Sequence, residues 1–254
     1  MRILLTNDDG IHAPGLELLE RLAAPLADEL WVVAPAEEQS GAGHSLTLTR
    51  PLRIRKHGER RFSVTGTPTD AVMLALGQLM KEARPDLILS GINRGANLGE
   101  DVTYSGTVSA AMEGALAGVP AIALSQCSMA PGTSDGVRFD AAEAHGPDVI
   151  ARLLDAPMPP RSLVNVNFPP VEASDVRGVK VCAQGFRDYS RLNIVERTDP
   201  RGFRYYWFGT GETVETPGHR TDLEVVADGF VAVTPLDLDL TRHDQLDNLA
   251  RRFD

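Results

Sequence analysis

Cysteine is nearly absent from this chain. Cys127 and Cys182 are the only two in 254 residues, and they form no C-x-x-C pair. Neither a disulfide framework nor a zinc knuckle is therefore expected. Long apolar runs are also missing: none approaches the ~20 residues a membrane span needs. The first apolar run stops at Thr6-Asn7-Asp8-Asp9, too short and too quickly acidic for a secretion signal, so the expected location is the cytosol. Positive charge is in deficit, with 25 Lys and Arg against 35 Asp and Glu and a net charge of −10. That balance speaks against a duplex nucleic-acid surface, which works by neutralising phosphates with clustered cations. No G-x-x-x-x-G-K-[ST] phosphate loop occurs, no G-x-G-x-x-G follows the first strand, and no G-x-S-x-G elbow is present. The run "GTGETVETPG" comes late, in a hairpin context.

What is present alternates. Arg2–Thr6, "LWVVAP" (30–35), "DLILSG" (86–91), "AIALS" (121–125) and "LVNVNFP" (163–169) are short continuous apolar runs, expected as buried strands. Between them lie helical patterns: Leu16, Leu19, Leu22 and Leu26; "TDAVMLALGQLM", with Thr67 as cap and Pro68 in the first turn; "SGTVSAAMEGALAG", stopped by Gly118 and Pro120; and residues 139–154. The fold class expected is α/β, a Rossmann-like, doubly wound and mostly parallel sheet. Beyond about residue 180 the texture changes. "VCAQGF", "GFRYYWFGTGE" and "LEVVADGFVAVTPL" read as strands and hairpins, and "RHDQLDNLARRF" as a terminal amphipathic helix. The division expected is a catalytic core over residues 1–180 and an extension over 181–254 with a hairpin, a returning strand and a terminal helix, the two forming one functional unit. The aromatic hairpin at Tyr205–Phe208 is unstable alone in water and is expected to pack on a second subunit.

Sites in doubly wound sheets gather outside the carboxyl ends of the strands, and the polar residues of interest mostly follow those ends. Asp8 and Asp9 are adjacent like charges at the end of a buried strand. At ~4 Å and an effective dielectric of ~20 they repel by ~4 kcal/mol, a conflict that a bound cation removes. The competing reading is an Asp-Gly turn with one aspartate capping the next helix. Ser40, between Gly41 and the end of the second strand, is either a hydroxyl ligand or part of a flexible turn. His44 is either a substrate contact or a surface histidine. "LSGINRGANLGEDVTYSG" is long for a structural loop; in it Asn93 offers an amide oxygen, and Ser105-Gly106-Thr107 opens a helix whose free N–H groups favour a phosphate. Ser105 can serve as cap at the same time.

Two carboxylates, an amide oxygen and a hydroxyl form a hard, all-oxygen set suited to Mg²⁺ or Mn²⁺. Combined with a helix N-terminus, the set implies metal-assisted hydrolysis of a phosphomonoester. The segments "LLTNDDG", "QSGAGHSLTL", "GTPTDAV", "SGINRGANLGEDVTYSGTVSAAMEGALAGVPAIA" and "DGFVAVTPL", in this order along the chain, resemble the SurE family, survival protein E. The resemblance implies a Rossmann-like core with a swapped C-terminal hairpin or helix, homodimers or homotetramers, and a cytoplasmic setting. It implies a metal-dependent 5′/3′-nucleotidase acting on nucleoside monophosphates, in some members also on short polyphosphate, with one divalent ion per subunit. It places the metal ligands on Asp8, Asp9, Ser40 and Asn93, and the phosphate-binding segment on Asn97 and Ser105–Thr107. Whether water or an aspartate (Asp8 or Asp9) attacks stays open.

A receiver-like phosphoacceptor module also holds an acidic pair after its first strand, but it is roughly half this length and needs a carboxylate after the third. Here that strand ends in Ser90-Gly91-Ile92-Asn93. A nucleotide-binding regulator without turnover is the other alternative.

Overall fold

In the computed structural model, residues 1–128, 138–155, 158–187, 193–209 and 221–253 are described. Most of the "GTGETVETPG" run lies outside them. The chain begins with β1 (Arg2–Thr6), α1 (Pro14–Ala23), β2 (Glu29–Pro35), β3 (Ile54–Lys56), β4 (Arg61–Val64), α2 (Pro68–Leu74) and β5 (Leu87–Arg94). It continues with α3 (Gly106–Leu116), β6 (Ala121–Gln126), α4 (Asp140–Leu154), β7 (Ser162–Phe168) and β8 (Val179–Val181). The last elements are β9 (Asn193–Thr198), β10 (Arg204–Gly209), α5 (Asp222–Ala227), β11 (Val231–Asp237) and the short α6 (Leu246–Ala250).

Among the described residues, nine strands form one sheet in the order β3-β4-β2-β1-β5-β6-β7-β11-β8. The pairs from β4 through β7 are parallel; β3 runs antiparallel to β4, and β11 antiparallel to β7. Alternation along β1 shows why the sheet is covered twice. Ile3 and Leu5 enter the core under α1 and α4, whereas Leu4 enters the core under α2 and α3. The expected doubly wound sheet is present. Strand order reverses between β1 and β5, with β2 added on one side of β1 and β6 on the far side of β5. This switch point is where such sheets bind ligands.

Two departures from the sequence pattern have physical causes. Residues 222–227, read within a run of strands, form helix α5, because Asp222 and Glu224 stabilise a first turn: the Thr221 N–H donates to Glu224 Oε2 at 3.2 Å. Edge strand β3 is intermediate to exposed and carries Arg and Lys, while its neighbour β4 is buried at Phe62, Ser63 and Val64 but only four residues long, so neither shows a long apolar run. The terminal helix is reduced to α6 and a preceding 3₁₀ turn, His243–Gln245. The antiparallel hairpin β9–β10 forms a separate two-stranded sheet with Tyr206, Trp207 and Phe208 exposed.

Candidate active site

Asp8 and Asp9 follow β1 at the switch point. Asn7 makes their turn: its amide nitrogen donates to Gly10 O at 2.9 Å, and its oxygen accepts from the Gly10 N–H at 3.2 Å. Gly10 has φ +101°, open to glycine. The turn sends the two carboxylates to different neighbours.

Asp8 points at the start of α3. Its Oδ1 accepts from Thr107 Oγ1 at 2.5 Å, and Gly106 packs so closely that a Cβ there would lie 2.8 Å from Asp8 Cβ. Ser105 caps the helix, accepting from the Val108 N–H at 3.1 Å. Only 4% of Asp8 is exposed. Burial pushes its carboxyl up to about 6, against the Thr107 hydroxyl and amide, which pull it down; the Asp9 charge adds to the rise.

Asp9 turns toward β5. Its Oδ2 accepts from the Arg94 N–H at 3.1 Å, which brings it beside Asn93. Burial raises its pKa too, opposed by Arg94 and reinforced by Glu38. Asn93 spends its amide N–H on Gly95 O at 3.1 Å; among the described residues its Oδ1 accepts no hydrogen bond. Register shifts between Ser90 and Asn93, where β5 bulges. There Gly91 has φ +142°, and a Cβ would meet Leu124 O at 2.3 Å; only glycine permits the bulge that re-aims Asn93.

The loop after β2 closes over this pair. The Gln39 N–H donates to Asp8 O at 2.8 Å, and the Gly43 N–H to Tyr104 O at 3.1 Å. Ser40 Oγ donates to Glu38 Oε1 at 2.8 Å, and Arg94 stands 3.6 Å from the same carboxylate oxygen. His44 Nε2 pairs with Glu113 Oε1 at 2.6 Å, so α3 gives this histidine a carboxylate partner. Asn97 is held in a buried polar lattice. Its N–H donates to Asn167 Oδ1 at 2.9 Å, its amide to Ser125 Oγ at 2.7 Å, and its carbonyl accepts from Asn165 at 2.8 Å.

Glu38, Arg94, Glu113, Asn165 and Asn167 were not among the residues the sequence singled out. Only the last two carried a signal: the alternation Asn165-Val166-Asn167 puts two amides on one face of an otherwise apolar strand.

The residue set passes a chemical test for a hard dication. No group of three His, Cys, Asp or Glu ligands converges among the described residues. The donor set instead consists of two sequence-adjacent carboxylates, each held by its own partner, with Asn93 one residue before the Arg94 N–H that meets Asp9 and Ser40 one residue after the Gln39 N–H that meets Asp8 O. A small cation that keeps part of its water shell needs no more.

Comparison with known proteins shows the family. The family model for survival protein SurE matches residues 3–191. The chain belongs to the SurE family. Among its relatives, the 5′-nucleotidase SurE of Erythrobacter litoralis is 61% identical over 254 residues, covering the whole of both chains. The 5′-nucleotidase SurE of Rhizorhabdus wittichii is 64% identical over 243 residues, 96% of each chain. The crystal structure of the SurE protein from Aquifex aeolicus superimposes with a TM-score of 0.85 at 39% identity, covering all of both chains. SurE membership accounts for the nine-stranded frame; the side-chain geometry at the switch point belongs to this chain.

Proposed function

We propose that this chain hydrolyses nucleoside 5′- and 3′-monophosphates to nucleoside and phosphate, with Asp8, Asp9, Ser40 and Asn93 holding one Mg²⁺ or Mn²⁺ per subunit. 5′-Nucleotidase is the activity its SurE relatives are named for, over essentially their full length. One structural observation carries the residue assignment. The start of α3 and the acidic pair meet at a single point, through Thr107 and Gly106 against Asp8.

When bound, such a dication supplies polarisation of the phosphoryl oxygen and an activated water. The chain's own groups do the rest. Thr107 fixes the rotamer of Asp8, and the Arg94 N–H fixes Asp9, so both carboxylates are oriented before anything binds. With the Thr107 hydroxyl and amide spent on Asp8, the Gly106 amide and the Ser105 hydroxyl, which accepts from Val108 and keeps its own proton, are the donors at the start of α3 that would stabilise the charge on the transferring group. Asn97, locked by Asn165, Asn167 and Ser125, supports the loop that carries this segment. The Glu113 carboxylate orients His44 at the flank.

The exposed aromatic face of β10 supports a homodimer or homotetramer, because Trp207 and Phe208 are 64% and 83% exposed in the single chain. No described helix is long and apolar enough to cross a membrane; a cytoplasmic setting is part of this proposal.

Phosphate release from AMP and 3′-AMP, with Mn²⁺ or Mg²⁺ and then with excess EDTA, tests the reading. Steady turnover abolished by EDTA is expected. Stoichiometric labelling by acetyl phosphate without turnover would favour the phosphoacceptor alternative instead.

A further inference from the structure

Beside the acidic pair, on the side away from α3, lies a cleft of about 270 Å³. It is at the small end of ligand pockets, which run roughly 300–1,000 Å³, a size suited to one planar group. Asp9, Arg94, Glu38 and His12 contribute its charged and polar lining, and Pro14 with Phe139 part of its apolar lining.

The position of Phe139 is enforced by glycine. At Gly15 a Cβ would lie 2.0 Å from Ile92 O and 3.2 Å from Phe139 Cζ. The helix start, the residue before Asn93 and the phenyl ring are therefore stacked at a spacing no other residue allows. Phe139 is only half-buried and packs in part against the α1/α4 core, leaving ring surface at the cleft.

We infer that this cleft is the nucleoside subsite, with the base stacked on Phe139 and its polar edges met by His12, Arg94 and Glu38. The inference rests on the nucleotidase reading and deepens it by saying where the leaving nucleoside lies. Charge separates it from the other occupant, a polyphosphate tail. Arg94 is the one Arg or Lys in the lining and already stands 3.6 Å from Glu38, so the cleft offers no free fixed cation to a chain of phosphates, whereas a neutral nucleoside needs none. An aromatic floor with a few convergent polar groups is the usual form of a base-binding pocket.

The test is calorimetric binding of adenosine to the full-length protein in Mg²⁺, alongside kcat/KM for AMP and for ribose 5-phosphate. Replacing an aromatic stacking partner weakens base binding by about tenfold or more. Phe139→Ala should raise the adenosine Kd by that factor and lower the AMP to ribose 5-phosphate ratio of kcat/KM at least about fivefold, while Phe139→Tyr restores both. Adenosine binding that is absent, or indifferent to Phe139→Ala, overturns the inference even if AMP is hydrolysed. Phe139-dependent adenosine binding without AMP hydrolysis would leave the subsite standing and remove the nucleotidase reading. A loss shared equally by both phosphate esters would also overturn it, since a ring that stacks on the base contributes nothing to an ester that has none.

Discussion

Asp8→Asn separates a carboxylate that binds metal from one that merely shapes a turn. Without metal, Asp8 is a buried charge: in the unfolded chain it titrates near 3.8, and in the fold burial raises it to about 6. The folded state is thus the stronger proton binder. Below the unfolded value both states are protonated and no cost arises. As pH climbs through the folded value, the native protein must hold a charge it disfavours, and stability falls. A rise of about two units at ~1.4 kcal/mol each amounts to ~3 kcal/mol at pH 8, as an upper bound. Asparagine removes the charge and keeps an Oδ1 for the Thr107 hydroxyl. Urea unfolding in EDTA should therefore find Asp8→Asn more stable than the parent at pH 8, by up to ~3 kcal/mol, with the gap closing below about pH 4. Saturating Mn²⁺ should reverse the order, because ligand binding to the native state stabilises only the protein that retains the site. Turnover should drop by orders of magnitude while the fold survives. A variant less stable than the parent at pH 8 in EDTA would refute the reasoning, as would equal protection of both by Mn²⁺.

Three further outcomes are expected. Gly106→Ala places a Cβ 2.8 Å from Asp8 Cβ and 2.9 Å from Pro68 Cγ; Asp8 must shift, and a Mn²⁺ titration of activity should show at least about tenfold weaker metal dependence, with ~1.4 kcal/mol per decade. Asp222 is fully buried and accepts from the N–H groups of Gly99, Gly185 and Leu223 at 2.9, 2.8 and 2.9 Å. Asp222→Ala strands those donors and should lower the unfolding free energy by at least ~2 kcal/mol, with faster amide exchange at Gly99 and Gly185. Replacing both Trp207 and Phe208 by Ser should convert the assembly to a smaller species by light scattering; a monomeric parent protein would end the interface argument.

The parts of the fold legible in the sequence were those set by local chemistry and continuous burial. β1, β5 and β6 carry buried apolar residues on both faces, as a doubly covered parallel sheet requires. The start of α2 was equally plain, because Thr67, Pro68 and Asp70 carry cap, first turn and reciprocal bond in four residues. Strands β3 and β4 were not legible, since β3 is a half-exposed edge of three residues and β4, though mostly buried, is four residues long with Arg61 and Ser63 breaking any apolar run. Helix α5 was hidden by Val225 and Val226, whose β preference is overridden by packing of the helix on the Leu98–Cys182 cluster.

At the site, the sequence supplied the oxygen donors but not their restraints. Glu38, Arg94 and Glu113 are ordinary surface-type residues in the sequence. They gain meaning only when the loops after β2 and β5 are brought over β1, a long-range event with no local signature. Phe139 is likewise inconspicuous until Gly15 allows its ring to approach Ile92.

The most direct test of the central claim is an anomalous difference map from crystals soaked in Mn²⁺. The account predicts one strong peak per subunit within coordination distance of Asp8, Asp9, Ser40 and Asn93, with catalysis lost on chelation and recovered on adding the ion back. No peak beside the acidic pair, together with undiminished AMP hydrolysis by chelator-stripped protein, would contradict it.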